Sequence, residues 1–486
     1  LKLSWMFAVA VTSLAGCAST AEAPRLPGNM ISLKPAAAGQ DGAIRVGVEI
    51  TSDDDGVVEF LFPDQWGPET DLTGLLSDFQ VSAAGTGATL EREGRAVRVE
   101  HDAVEPFELS FALKQDYDGE PQWGEAGLPG MRPIALPGHA SLIGYTFVPD
   151  VDVSGPFRLS ISGFEGAMAS SLKLEDGVSE PVALDDIRGS VILIGDYRTS
   201  VVSETGHEVR VGVRGDWALS DQKIGLTALA VLSEAAALFE DDVFKDYFVA
   251  LLPLPDLPDG SAVIGTGLTR SFLLLATQNA EAENLTHTIV HEILHEWITR
   301  RMGETDEDTD PERMWFTEGF TEYYTQIVLL KSGLIDLDSF VSNLNDMVEA
   351  YLNSPVRETS QEALAAGIWD SDELQKLPYQ QGLLLALNWN SELTASNRGD
   401  LSDVLSGLID HADETLDDDE IQGALRAVLA DRFDDQYQRH IVEGAVIWPD
   451  ELALPACLTV QGTGEDMRFA VDADFEEAAC VRSITG

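Results

Sequence analysis

The sequence predicts an α+β multidomain protein: a β-sandwich-like N-terminal domain, then an α+β region whose C-terminal half is helical. Three observations carry this. Apolar residues alternate with a period of two in short runs between Ile44 and Val213. The spacing becomes helical around Ile224–Glu240 and again across Leu285–Arg301. From Leu334 onward helical runs follow one another until strand-like pieces return in a short tail. A chain of 486 residues holds two or three domains with adequate cores.

Taken in order, Lys2 precedes the apolar run Trp5–Val11, and Leu14-Ala15-Gly16-Cys17 closes residues 1–17. This is a signal-peptide core, too short to span a membrane as a mature helix. Residues 18–40, rich in Ala, Pro and Gly, read as a flexible tether. Ile44, Val46, Val48 and Ile50 then alternate, Asp53-Asp54-Asp55-Gly56 turns the chain, and Val58, Phe60 and Phe62 alternate again, a hairpin signature. The Asp run lacks regular calcium-ligand spacing. Similar alternation at Phe107–Leu113, Phe157–Ile161, Val191–Ile194 and Val209–Val213 makes 41–208 the β-sandwich-like domain.

Residues 209–332 read as a metal-binding α+β part and 333–447 as its helical part, with a tail over 448–486. Ile224–Glu240 is an Ala-rich helix, kept out of a membrane by Glu234 and its acidic end. Tyr247–Leu252 and Arg270–Thr277 read as strands, the second as the edge on which an extended substrate would lie. Helices are expected at Phe340–Leu352, Gly382–Leu393, Leu401–Asp410 and Glu420–Ala430. There are no internal repeats.

The chemistry concentrates in His291-Glu292-Ile293-Leu294-His295, on the predicted helix Leu285–Arg301. Residues four apart stack one turn above the other, so both imidazoles converge on one metal ion and Glu292 reaches a water beside it. A second predicted helix, Met314–Leu330, carries Glu318, 318 − 295 = 23 positions after the second His. Two His and one Glu leave a fourth position open, the pattern of catalytic rather than structural zinc. Glu322 and Glu296 compete as the carboxylate that orients a ligand imidazole. His287 lies one turn before His291, a satisfied helix-end His or a substrate contact. The loop Gly303–Glu312, with Glu304, Asp306, Glu307, Asp308 and Asp310 between the two helices, is a solvated loop or a lure for basic substrates.

Charge excludes one class of partner. Eighty-four acidic against 30 basic residues give a formal charge of −54, which repels nucleic acid and anionic lipid surfaces. That surface suits a salty medium, or it attracts cationic peptides. Cys457 and Cys480, the only cysteines besides Cys17, predict a disulfide in an oxidising periplasm.

The pairing of His-Glu-Ile-Leu-His-Glu-Trp with Trp315-Phe316-Thr317-Glu318-Gly319-Phe320-Thr321-Glu322-Tyr323-Tyr324 resembles the gluzincin metallopeptidases. It is closest to the M61 glycyl-aminopeptidase-like group and more distantly resembles the M1 aminopeptidases. The M1 spacing puts the third ligand nearer the second His, which favours M61. Leu377-Pro378-Tyr379-Gln380-Gln381-Gly382 resembles the Pro-Tyr-x-Lys-Gly run of those families. The resemblance covers about Val209 to Pro449 and implies a thermolysin-like catalytic domain. It implies hydrolysis of a peptide or protein substrate by Glu-assisted attack of water, with one Zn²⁺ per chain held by His291, His295 and Glu318. Glu292 is then the general base and Tyr379 the donor to the oxyanion.

Two positions depart from the family. Gln381 stands where it carries Lys. In Gly265–Ser271, a stretch with Gly267, Thr269 or Arg270 stands where those families carry the Glu that holds the substrate's free amino group. Those three residues are the expected substrate contacts, and exo- versus endopeptidase action stays open. Leu14–Cys17 resembles a bacterial lipobox, which implies lipidation of Cys17 and membrane contact through a lipid anchor. Ala18 and Ser19 after it imply the outer membrane, facing periplasm or exterior. The reading from another class is a catalytically inactive surface lipoprotein that keeps the fold as a binding or scaffold module.

Overall fold

The structure, a computed structural model, describes residues 28–36, 43–51, 56–67, 69–83, 89–101, 106–123, 128–204, 206–303, 310–409 and 417–485. The signal peptide with Cys17, the Asp53–Asp55 turn and most of the acidic Gly303–Glu312 loop lie outside them. The chain divides into two compact units, one of residues up to Leu226 with Asp246–Leu285, the other of Thr227–Lys245 with Thr286 onward.

In the first unit a seven-stranded sheet runs in the order 174–175, 178–179, 157–161, 29–35, 44–50, 107–113, 76–83. The period-two pattern is the reason: Ile44, Val46, Val48 and Ile50 are buried, while Arg45 and Glu49 are only partly so. Asn29–Pro35 lies inside this sheet, antiparallel to Ile44–Ile50 and parallel to Phe157–Ile161. The tether expected over 18–40 is therefore corrected. Ile31 and Leu33 are fully buried, a two-residue alternation too short to stand out among Pro and Gly.

A second sheet, including Val57–Leu61 and Ala96–Glu100, turns Val58, Phe60, Val97 and Val99 into the same core as Val46, Leu109 and Phe111. This is the sandwich the alternation predicts. Phe62 meets Phe111 edge-on at 5.1 Å. Each such fully buried side chain contributes roughly 1.5–3 kcal/mol relative to exposure. Arg132, 5% exposed, is locked into this unit by Glu69 and Asp116 at 3.3 and 2.7 Å and by the Thr70 carbonyl at 2.7 Å. Helix α1 (Leu184–Arg188) precedes the strand Val191–Gly195.

The same unit contains a five-stranded sheet ordered 198–204, 207–213, 246–254, 271–277, 263–268. It begins at Arg198, ahead of the boundary expected at 209. Ser271–Thr277 is buried along its whole length, the continuous apolar run of an interior strand. The edge is Val263–Leu268 instead, which corrects the expected substrate-side strand. Pairing of Leu268 with Ser271 leaves Thr269 and Arg270 as the two-residue turn. Thr269 donates its N–H to the Gly189 carbonyl, Arg270 adopts φ 48°, and its guanidinium lies 3.6 Å from Asp186. The two residues expected to touch substrate thus serve to close a hairpin, and Gly267 pairs with Phe272 on the edge strand.

Helix α2 (Asp221–Leu238) leads into the second unit, and α3 (Ala282–Leu294) carries His291 and ends just before His295. It ends short of the expected Arg301, because Ile298 and Thr299 leave helical geometry, Thr299 with φ 129°. Then follow α4 (Asp310–Lys331), α5 (Leu337–Leu352), α6 (Gln361–Gly367), α7 (Asp372–Ala395), α8 (Leu401–Ile409), α9 (Asp418–Leu429) and α10 (Asp431–Gln436). Ser371 caps α7 by accepting the Leu374 N–H, so this helix starts well before the expected Gly382 and Tyr379 lies within it.

The core of the second unit is aromatic. Trp389, fully buried on α7, meets Trp315 and Phe320 of α4 at 6.1 Å. Beyond α10 the tail forms the hairpin Leu458–Gln461 with Arg468–Val471, then α11 (Glu477–Thr485), which packs on α4. Cys457 and Cys480 form a disulfide, both fully buried. Asn345 of α5 holds the Phe469 backbone through both its N–H and its carbonyl. Among the described residues, no helix is long and apolar enough to cross a membrane.

Candidate active site

Helical spacing builds the site from two elements of the second unit. His291 projects from the last turn of α3 and His295 from the residue just past its end, one turn on, while Ile289, Val290, Ile293 and Leu294 are fully buried. Glu318 enters from α4. Its Oε2 lies 3.2 Å from His291 Nε2 and 3.4 Å from His295 Nε2, and the two Nε2 atoms are 3.1 Å apart. The residues expected as ligands therefore meet as a three-atom cluster, the one such group found among the described residues.

The geometry fits zinc. A tetrahedral ion with bonds of about 2.0–2.1 Å needs neighbouring ligand atoms about 3.3–3.4 Å apart, and the three observed separations bracket that value. The donor set agrees, with two imidazoles and one carboxylate and a fourth position left to solvent or substrate. Imidazole orientation agrees as well. His291 Nδ1 faces Glu322 Oε2 at 3.4 Å, so in the neutral ring the proton belongs on that side and the Nε2 lone pair is turned toward Glu318 and His295. His295 Nδ1 is 3.4 Å from the Ile298 carbonyl, which the break after α3 turns back toward the ring.

Of the two acids, Glu322 is the one seen against His291. It is 3% exposed and bridges His291 and His287, its Oε1 lying 2.9 Å from His287 Nε2. Gln326 donates to the same oxygen at 3.0 Å, and Asn343 donates to Gln326 at 3.0 Å. Glu296, also buried, instead lies 3.5 Å from Arg300. Gln326 stands four residues after Glu322 on α4, a spacing readable in the sequence. Asn343, on another helix, left no such signal.

Electrostatics give each group a protonation state. For His291 burial favours the neutral ring, but the Glu318 and Glu322 carboxylates outweigh it and hold the pKa up at about 10. Burial would raise Glu318 too, yet His295 and His291 keep it far below the usual carboxylate range. Glu292 goes the other way: burial pushes it up, against the opposing pull of His295 and His291. A carboxylate displaced toward neutrality is suited to exchanging protons.

Tyr379 stacks its ring on His291 with centroids 5.8 Å apart, and its hydroxyl feels the charge of the Glu318 carboxylate. Burial first, and the Glu318 charge second, hold its pKa well above the ordinary tyrosine value, so it stays a hydrogen-bond donor. Gln381, the departure two residues on, points into the helical core and donates to the His440 carbonyl at 3.4 Å. Its difference from the family's Lys is thus a matter of packing in this chain.

Comparison with known proteins follows the geometry. Residues 284–385, which include every residue of the cluster, match the family model for M61 glycyl aminopeptidases. No curated protein matches the chain. Among solved structures, the chain is similar to an aminopeptidase N family protein from Idiomarina loihiensis at 16% identity and a TM-score of 0.72. That match covers 89% of this chain and 79% of the other. It is also similar to an M1 zinc metallopeptidase from Deinococcus radiodurans at 16% identity and a TM-score of 0.52, covering 88% and 95%. A mutant of the latter bound to a Tyr-Ser-Ala substrate matches at 15%, with a TM-score of 0.51 and the same coverage. At such identities the structural likeness speaks for the fold, and the family model for the sequence. Residues 284–385 therefore carry the sequence pattern of the M61 glycyl aminopeptidases, in a chain whose fold is similar to those of an aminopeptidase N family protein and an M1 zinc metallopeptidase.

Proposed function

We propose that this chain hydrolyses peptide bonds with His291, His295 and Glu318 holding one zinc ion. The observation that carries the reading is the triangle of those three ligand atoms, with Glu292 and Tyr379 on the same cluster. Zinc, when bound there, supplies acidified water and a polarised scissile carbonyl. Glu292 takes the proton of the attacking water and returns it to the leaving amine. Tyr379 donates its hydroxyl to the developing oxyanion. Glu322 fixes the His291 tautomer so that Nε2 stays a ligand.

The substrate is a peptide. The turn made by Thr269 and Arg270 supplies no carboxylate for a free amino group, so the reading extends to internal as well as terminal bonds. Cys17 is the proposed lipid anchor, on the outer membrane of a bacterial envelope, and the Cys457–Cys480 pair agrees with an oxidising compartment. Zinc analysis and digestion of a mixed peptide library test the reading together. Zinc at unit stoichiometry with cleavage supports it, and product lengths separate exo- from endopeptidase action. Zinc without cleavage of any peptide favours the scaffold lipoprotein. Tyr379→Phe is expected to lower the rate about 10²–10³-fold.

A further inference from the structure

Helices α4 and α7 cross through two glycines that flank the chemistry. Gly319 follows the ligand Glu318, and Gly382 lies one turn after Tyr379. A methyl group added to Gly382 would sit 2.6 Å from the Gly319 Cα and closer still to the Trp315 carbonyl oxygen. One added to Gly319 would sit 2.9 Å from the Gly382 carbonyl carbon and 3.0 Å from the Pro378 oxygen. Every clash is with backbone, which has no rotamer to yield. The crossing accepts no side chain, and the two helices touch main chain to main chain.

The consequence falls on the residues beside the crossing. The ring of Tyr379 lies on the ligand His291 at 5.8 Å, and Glu318 is the charge that acts most strongly on its hydroxyl. Both interactions run from α7 to the two ligand helices. A wider crossing would carry Tyr379 away from Glu318 while the three metal ligands stayed together. The clashing carbonyls, Trp315 and Pro378, stand three residues before Glu318 and one before Tyr379, so the displacement arises at the contact itself.

We propose that Gly382 and Gly319 are positioning residues, whose backbone contact sets the distance between Tyr379 and Glu318. This rests on the hydrolytic reading above and adds to it a determinant that touches neither substrate nor metal. A misplacement of about 1 Å at a reacting group costs roughly 10²-fold in rate. Gly423 on α9, with no atom near its missing Cβ, is the matched control for placing Ala in a helix.

The test is a double-mutant cycle on the full zinc-loaded chain with Gly382→Ala, Tyr379→Phe and the pair, beside Gly423→Ala. The rate is read on a peptide cleaved from a mixed library. A second reading, independent of turnover, is the visible absorption of the cobalt-substituted protein, because the Tyr379 ring stacks on the ligand His291 and its hydroxyl feels the charge of Glu318. Gly382→Ala is expected to keep zinc and KM, lose about 10²-fold in kcat, and shift the cobalt band as Tyr379→Phe does. The double variant should go no further in either reading. Multiplying losses, additive band shifts, or a wild-type rate and spectrum in Gly382→Ala would overturn the proposal. A wild-type rate in Tyr379→Phe alone would remove the oxyanion role, leaving the cobalt cycle to judge the glycines. If Gly382→Ala does not fold, Gly319→Ala makes the same cycle from the opposite helix. Loss of zinc and cooperative melting in both would reduce the crossing to a folding requirement and end the proposal.

Discussion

Arg132 in the β-rich unit and His291 in the helical unit are each set between two carboxylates, at 5% and 7% exposure, and they behave in opposite ways. Arg132 joins Glu69 and Asp116 as a permanent cation, with the Thr70 carbonyl and the Leu128 N–H completing the hydrogen bonds. Burial works against its charge, but the two acids outweigh that and raise its pKa further. His291 has the same neighbours in kind, Glu318 and Glu322, yet its charge is removable. A guanidinium between two acids completes a fold. An imidazole there leaves the counter-charge open to exchange, and that is what a metal centre requires.

The comparison fails most visibly where a third acid enters. Glu292→Gln removes an acid that the His291 cluster does not need for metal binding. Zinc content should stay the same, and the cleavage rate should fall roughly 10²–10⁴-fold. A rate near wild type would return Glu292 to the status of a buried spectator.

Breaking the permanent pair comes next in size. Arg132→Met leaves Glu69 buried without its cation and is expected to cost about 3–5 kcal/mol in a denaturant titration, with kcat of the folded fraction unchanged. A small cost would mean that Glu69 finds another donor. Loss of the orienting acid follows. Glu322→Gln should weaken zinc about 10–100-fold in a chelator competition while the melting temperature of the metal-free protein moves less. Equal zinc affinity would show that Gln326 and Asn343 hold the ring without the carboxylate.

The smallest effect sharpens the contrast through pH. In metal-free protein the pKa of His291, about 10, lies above the ordinary histidine value of about 6.5. Protonated His291 therefore stabilises fully below the unfolded value, and that contribution is lost as pH rises through about 10. Arg132 contributes no slope over that range. Denaturation midpoints of the metal-free chain from about pH 6 to about pH 10 should decline, and the decline should flatten in His291→Gln. A wild-type profile already flat would show that the two acids share the proton without favouring the folded state.

The sequence disclosed the site more fully than the fold around it. Helical spacing depends on local chemistry, so His291, His295 and Glu318 were legible as one cluster, and Tyr379 was reached through the resemblance. Sheet position depends on distant partners, and there the reading slipped. Ser271–Thr277 looked like an edge strand, although its unbroken apolar run belongs to an interior one. Asn29–Pro35 reads as linker because Pro and Gly surround a pattern of only two alternating apolar residues, Ile31 and Leu33. Thr269 or Arg270 stands where the family carries its amino-binding Glu, and only the strand register shows that the two form a turn. The choice of Glu322 over Glu296 needed both helices in place, since each acid stands at a credible distance along the chain.

The Cys457–Cys480 pair brackets a hairpin whose tip, residues 462–465, is exposed and turns at Gly462 and Gly464 with positive φ. A protease that nicked this tip would not free the C-terminal piece. Helix α11 would remain tied to Cys457 and seated on the helix that bears Glu318. Such a clipped molecule would run as full length on an ordinary gel and come apart only after thiol reduction, so wear at this end would be invisible to size alone.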